Sequence, residues 1–400
     1  MDKLLLQRID MKIAFTQILA LIACALLTAC GAGSCVGHNG CSDSSSTTSS
    51  SSGVTYSGNT GTVSILAGGS AFKGYADGTG TAALFSGPTA LVVDSSGNIY
   101  VADRENNRIR KITSAGVVTT FAGSGTSGTA NGTGIAATFA DPGTITIDSS
   151  GNLYVIDAFA ATQIRKITPA GVVTSFAGQV GVTGSTDGTG TSALFGGIQG
   201  IAIDSSDNLY VTDTSNFKIR KITSAGVVTT FAGSGSSGSV DGTGIAASFT
   251  NITALTVDSS GNLYVIDGGN TSDAANTKIR KITSAGVVTT FAGSSSSAYV
   301  DGTGTAASFQ NIGGITVDSS GNLYVTESGG GNTIRKITSA GIVTTFAGLK
   351  DSTDDDIDGT LTAARFQQPY GITIDSSGNL YVAEYEFGFQ NNIRKIVFTP

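Results

Sequence analysis

The sequence predicts an all-β fold: a six-bladed β-propeller of four-stranded antiparallel blades, with the ring closed by an N-terminal strand completing the C-terminal blade. Three observations carry that expectation. A turn-forming run, DSSGN or DSSDN, starts at Asp94, Asp148, Asp204, Asp258, Asp318 and Asp375, so the chain repeats itself every 54–60 residues. Each copy holds four short apolar runs, the second and fourth rich in Val, Ile, Tyr, Thr and Phe, residues that suit a pleated, buried surface. The runs are also cyclically permuted. Gly61–Gly68 matches the last run of every copy, whereas the chain ends on Ile393-Arg394-Lys395-Ile396, the third.

Three segments follow one another along the chain. Residues 1–29 read as a lipoprotein signal peptide: Lys3, Arg8 and Lys12 precede the apolar run Ile18–Leu27, which is too short for the roughly 20 residues of a membrane span. Leu27-Thr28-Ala29-Cys30 resembles the bacterial lipobox, which implies acylation of Cys30. Gly31 rather than Asp after that Cys favours the outer membrane of a cell envelope. Residues 30–57 form a tether dominated by Ser and Thr, with SDSSSTTSSSSG at 42–53. Residues 58–400 hold the repeats. No Cys lies beyond Cys41, so the repeat region needs no disulfide.

Within a copy, run a ends on the turn Asp (Ala90–Asp94), run b ends on an acid (Asn98–Asp103), run c is IRKI (Ile109–Ile112) and run d is VVTTFAG (Val117–Gly123). DSSGN between a and b makes a tight turn, because Asp and Ser bond the local backbone and Gly accepts positive φ. TSAG or TPAG joins c to d. Six of each run make six full blades in a ring, which hides the edge strands of an open array and is consistent with a monomer. An outer-membrane barrel needs strands of ~9–11 residues with alternating faces, and these runs are shorter and apolar on both faces.

The run from Asp94 through Tyr100, Val101 and Asp103 to Ile109, Arg110 and Lys111, with the connector DGTGxAAxF, resembles the NHL repeat. The resemblance covers about residues 58–400 and implies a six-bladed propeller. It is weak for function, because NHL propellers include scaffolds, sensors and a few enzymes.

A net charge of −7 excludes a general nucleic-acid binder, which needs a basic face. The single His, His38, lies outside the repeats, which removes the His-dependent chemistry of the related lyases. The b–c loops differ in length and sequence between copies, while the a–b and c–d turns are nearly constant. The candidate ligand face is therefore the b–c side: Arg104, Glu105, Asn106 and Asn107 in the first copy, Asn270, Asp273 and Asn276 in the fourth, Tyr385, Phe387 and Phe389 in the sixth. Asp103, Asp157, Asp213, Asp267, Glu327 and Glu384 are expected around the channel, paired with the IRK arginines. Calcium is the one cofactor left open. Asp354, Asp356 and Asp358 open like a calcium loop, although Arg365 stands where the bidentate acid belongs. Asp141, Asn251, Asn311 and Gln368 near the start of run a supply one carboxylate. The glycine runs at 123–128 and 233–238 lack the βαβ context of a dinucleotide fingerprint. Phe85, Phe139, Phe195, Phe249, Phe309 and Phe366 are expected to plug the gaps between blades.

The sequence thus points to an envelope propeller, held at the membrane through its lipid anchor only, that binds a protein, peptide or glycan without catalysis. A calcium-dependent hydrolase or lactonase at the channel mouth is the alternative. Substituting Cys30→Ser is expected to leave unprocessed precursor and abolish membrane partitioning, read by gel mobility and detergent phase separation.

Overall fold

A computed structural model of the chain describes residues 58–69, 73–157, 162–268, 277–296, 298–328, 331–350, 356–385 and 391–399. They form six antiparallel sheets around a central channel. In the first blade, strand a is Pro88–Val93, b Ile99–Asp103, c Arg108–Ile112 and d Val117–Ala122. Strand a lines the channel and d lies outermost of the four.

The ring closes as the permuted runs require. Thr60–Ala67 pairs antiparallel with Ile393–Thr399 of the sixth blade, from Thr60 opposite Thr399 to Ala67 opposite Ile393. The N-terminal strand therefore serves as strand d for strands a (Pro369–Ile374), b (Leu380–Glu384) and c at the other end of the chain.

Each sheet has five strands where the sequence led us to expect four. The addition is the two-residue Gly-Thr of the connector. Gly78 and Thr79 pair with Val118 and Val117, covering the outer edge of strand d. Gly80 follows with φ +59, a conformation only Gly adopts freely, and its N–H donates 2.9 Å to the Gly116 carbonyl. The Gly80 carbonyl also accepts from Gly68 N–H in the preceding blade. The DGTG motif thus covers an exposed edge and laces adjacent blades together.

Burial follows from the ring. The core consists of layers between neighbouring sheets: Tyr154, Ile156 and Ile164 of the second blade pack with Phe195, Ile201, Leu209 and Val211 of the third. Strand b is therefore buried on both faces, which explains its unbroken apolar pattern. The six connector Phe side chains are at most 1% exposed and act as the expected inter-blade plugs. The a–b turn behaves as read: Asp94 Oδ1 accepts from the N–H groups of Ser96 (2.9 Å) and Asn98 (2.8 Å).

Deleting Thr60–Ala67 removes a full strand from the sixth blade and exposes the edge of strand c. We expect the melting transition to fall sharply, or the protein to aggregate, by calorimetry and light scattering. An unchanged melting curve would contradict the closure.

Candidate functional site at the b–c mouth of the channel

The acids that end strand b lie inside the blades. Asp103 and Arg110 are both fully buried and meet at 2.8 Å, and the equivalent pairs span 2.6–3.2 Å through Glu384–Arg394. The pairing is as expected; the position is not, since none of these acids lines the channel. Asp103 also accepts from Ser86 N–H (2.7 Å) and Asn106 Nδ2 (2.9 Å). Burial pushes its carboxyl up to about 6 against the pull of those bonds and of Arg110. Burial likewise raises Glu327 and Glu384, and draws Arg394 down to about 10.

Each guanidinium reaches further than the sequence indicated. Arg110 bonds the connector at Asp77 (2.8 Å) and at the carbonyls of Leu84 (3.0 Å) and Ala76 (2.8 Å), and it lies over the Phe85 ring. Asp187, Asp241, Asp301 and Asp358 repeat the Asp77 contact. The Asp of DGTG is thus the second carboxylate of a clamp. That assignment also covers Asp358, and Asp356 contacts the same Arg394. Asp354 lies outside the described residues. Among the described residues, no group of three acids, Cys or His is placed to hold a metal.

The channel encloses about 210 Å³ between the six a strands. Its lining carries no charge: Thr89, Thr144, Thr146, Gln199, Thr253, Thr256, Thr316, Tyr370 and Thr373 alternate with Ala, Leu, Ile, Val and Gly. Hydroxyls tie the strands together across blades: Thr89 donates to Gly143 O, Thr326 to Tyr370 O and Thr212 to Thr253 O. Thr253 is 8% exposed, but its hydroxyl oxygen is itself closed off from solvent and has no partner among the described residues.

At the b–c mouth, blades six, one and two build a polar rim. Arg104 grips Asp141 of the next blade through Nε and Nη2, the latter at 2.7 Å. This ion pair raises the Arg104 pKa, and the guanidinium acts electrostatically on the Tyr370 and Tyr385 hydroxyls. Glu105 accepts from Ser86 Oγ (2.7 Å), Lys73 (3.2 Å) and Tyr385 (3.4 Å). Burial alone would raise its carboxyl, but these bonds bring it below the usual range.

Of the predicted face, the structure thus brings together Arg104, Glu105 and Tyr385. Asn106 and Asn107 have structural duties. Asn106 ties Asp103 to the Gly74 carbonyl, and Asn107 takes φ +51 at a turn and accepts from Asp141 N–H. Asn270, Asp273, Asn276, Phe387 and Phe389 lie outside the described residues, as does Cys30. Asp141, Asn311 and Gln368 each have positive φ, a backbone demand that suits the short polar side chains of Asp141 and Asn311 after the plug Phe. Lys73, Tyr370 and Thr253 were missed. Lys73 sits in a connector, and the other two read as ordinary strand residues.

The clamp gives a direct test. Asp103→Asn leaves Arg110 buried beside a neutral partner, so stability should drop by about 3–5 kcal/mol in chemical denaturation. EDTA should leave the wild-type melting temperature in place; a saturable calcium shift abolished by Asp103→Asn would assign these acids to a metal.

Comparison with known proteins agrees with this architecture. Residues 85–112 and 195–222 match the NHL repeat, each match running from a plug Phe to the end of strand c. No curated protein matches the chain. Among solved structures, a protein of unknown function from Bacteroides thetaiotaomicron superposes with a TM-score of 0.64 at 22% identity, over 85% of this chain and 76% of that one. An auxiliary nutrient binding protein from Bacteroides ovatus gives 0.61 at 16% identity, over 86% and 78%. Streptogramin B lyase gives 0.48 at 18%, over 79% and 94%, a likeness too loose to carry an argument. At these identities the likeness is one of fold. The chain is a six-bladed β-propeller in which two segments match the NHL repeat.

Proposed function

We propose that the protein is a lipid-anchored binding module of a bacterial cell envelope, without catalysis, that takes a protein, peptide or glycan at the b–c mouth of its channel.

 The observation that carries this reading is the uncharged, hydroxyl-lined throat beneath a polar, Tyr-edged rim. A throat without charge accepts a neutral hydroxyl- or amide-bearing group, whereas a buried ion would lie there without a counter-charge. The rim groups that chemistry would need are already engaged, Arg104 with Asp141 and Glu105 with Ser86, Lys73 and Tyr385. The envelope location rests on the lipobox-like run ending at Cys30 and on the Ser/Thr tether. A nutrient-binding neighbour on the same fold is compatible with the reading.

Arg and Tyr anchors at the centre of an interface each contribute about 2 kcal/mol or more. Envelope components captured by residues 58–400 should therefore lose about thirtyfold in affinity on Arg104→Ala or Tyr385→Ala. Identical capture by both variants would remove the mouth as the site. Calcium-dependent turnover of a lactone or ester would replace binding with the hydrolase reading.

A further inference from the structure

Five blades place an Asp in the connector beside the clamp Arg; the second blade has Asn131, followed by Gly132. Asn131 is exposed, and its Oδ1 accepts a 3.0 Å bond from Arg165 Nη2. Arg165 is fully buried and fixed by Asp157 (2.9 Å) and by the carbonyls of Thr138 and Ala130. Gly132 begins a two-residue strand at the outer edge of its sheet, the kind of element that opens locally at low cost. A side chain at 132 would collide with Ala136, its Cβ only 2.8 Å from the Ala136 carbonyl carbon, so the Asn-Gly step has no bulk to shield it.

We propose that Asn131 is a self-modifying site that deamidates to Asp with the help of Arg165. When the edge strand opens, the Gly132 amide nitrogen gives its proton to a solvent base and attacks Asn131 Cγ. The new C–N bond closes a five-membered imide, the old Cγ–Nδ2 bond breaks, and the amide nitrogen leaves as ammonia. One water then opens the ring. The balance is Asn plus water to a carboxylate plus ammonium, the base returning the proton that it took, with no oxidant or reductant. Negative charge develops on Oδ1 in the cyclisation, where Arg165 already donates, so the guanidinium stabilises that step. In the imide the same oxygen remains on the same guanidinium. Water is thereby directed to Cγ, which yields Asp with an ordinary backbone in preference to isoaspartate. The new carboxylate stands where Asp187 and Asp241 stand beside Arg220 and Arg280, and supplies the ion pair that the second blade lacks.

The test incubates the full folded chain at mildly alkaline pH in ¹⁸O-labelled water, beside a free peptide covering residues 126–136. Proteolysis and mass spectrometry locate the label, and isoaspartyl methyltransferase separates the two products. We expect label at residue 131 of the folded chain with Asp about tenfold more favoured over isoaspartate than in the peptide, a difference of about 1.4 kcal/mol between the two opening steps. The converted protein should melt with Asn131→Asp and above the starting protein. An unlabelled residue 131 after the peptide is consumed, the peptide's product ratio in the folded chain, or a converted protein that melts below the starting one would each overturn the proposal.

Discussion

The buried carboxylate–guanidinium clamp is the contact on which the rest of this ring depends. A fully buried Arg is tolerated only when its charge and donors are met. Here the strand-b acid meets one side, the connector supplies an acid or amide and backbone carbonyls on the other, and a plug Phe lies beneath. The clamp fixes the connector over its own sheet. The connector in turn covers strand d with its Gly-Thr pair, inserts Phe between blades and delivers the chain to the channel. Six arginines therefore organise edge, core and pore together. In each, Nε is left without a partner among the described residues, so the two terminal nitrogens carry the interaction.

This arrangement explains why the copies are so alike and where they differ. Positions that touch the clamp repeat almost without change. One pair beside it varies blade by blade, with the partners matched: Arg108 lies over Tyr75, Lys218 bonds Ser185, Lys278 bonds Ser239, Thr333 bonds Tyr299 and Asn392 bonds Asp356. A connector transferred to the wrong blade would meet the wrong partner. In a chain of near-identical copies, where misassembly between repeats is a characteristic hazard, such pairs favour the correct docking.

What was legible in the sequence follows from periodicity. The six turn acids, the IRKI and VVTTFAG runs and the permuted ends sufficed for blade number and closure, because each repeats at a fixed offset. The strand-b acid and the Arg could be matched because they face each other across one hairpin. The fifth strand could not be recognised, since Gly-Thr is too short to show an alternating pattern. The connector acid could not be matched to its partner because that partner lies 33 residues away in the first blade. The rim was the least legible part. Arg104 and Asp141 come from different blades, and no repeat relates them. Tyr370 reads as an ordinary strand residue, and its place beside Arg104 is a property of three-dimensional placement.

The closing strand has a consequence for how the protein is made. Thr60–Ala67 leaves the ribosome before any blade does, while its partner Ile393–Thr399 follows the other five blades. During synthesis five blades can complete themselves from sequence in hand, but the sixth cannot, and the ring stays open until residues 393–399 have emerged. The ring-closing contact, one of very long sequence separation, is therefore also the last one of the propeller to become available. A chain truncated before residue 393 retains an unpaired edge at both ends of the array, so such products are marked by their own geometry.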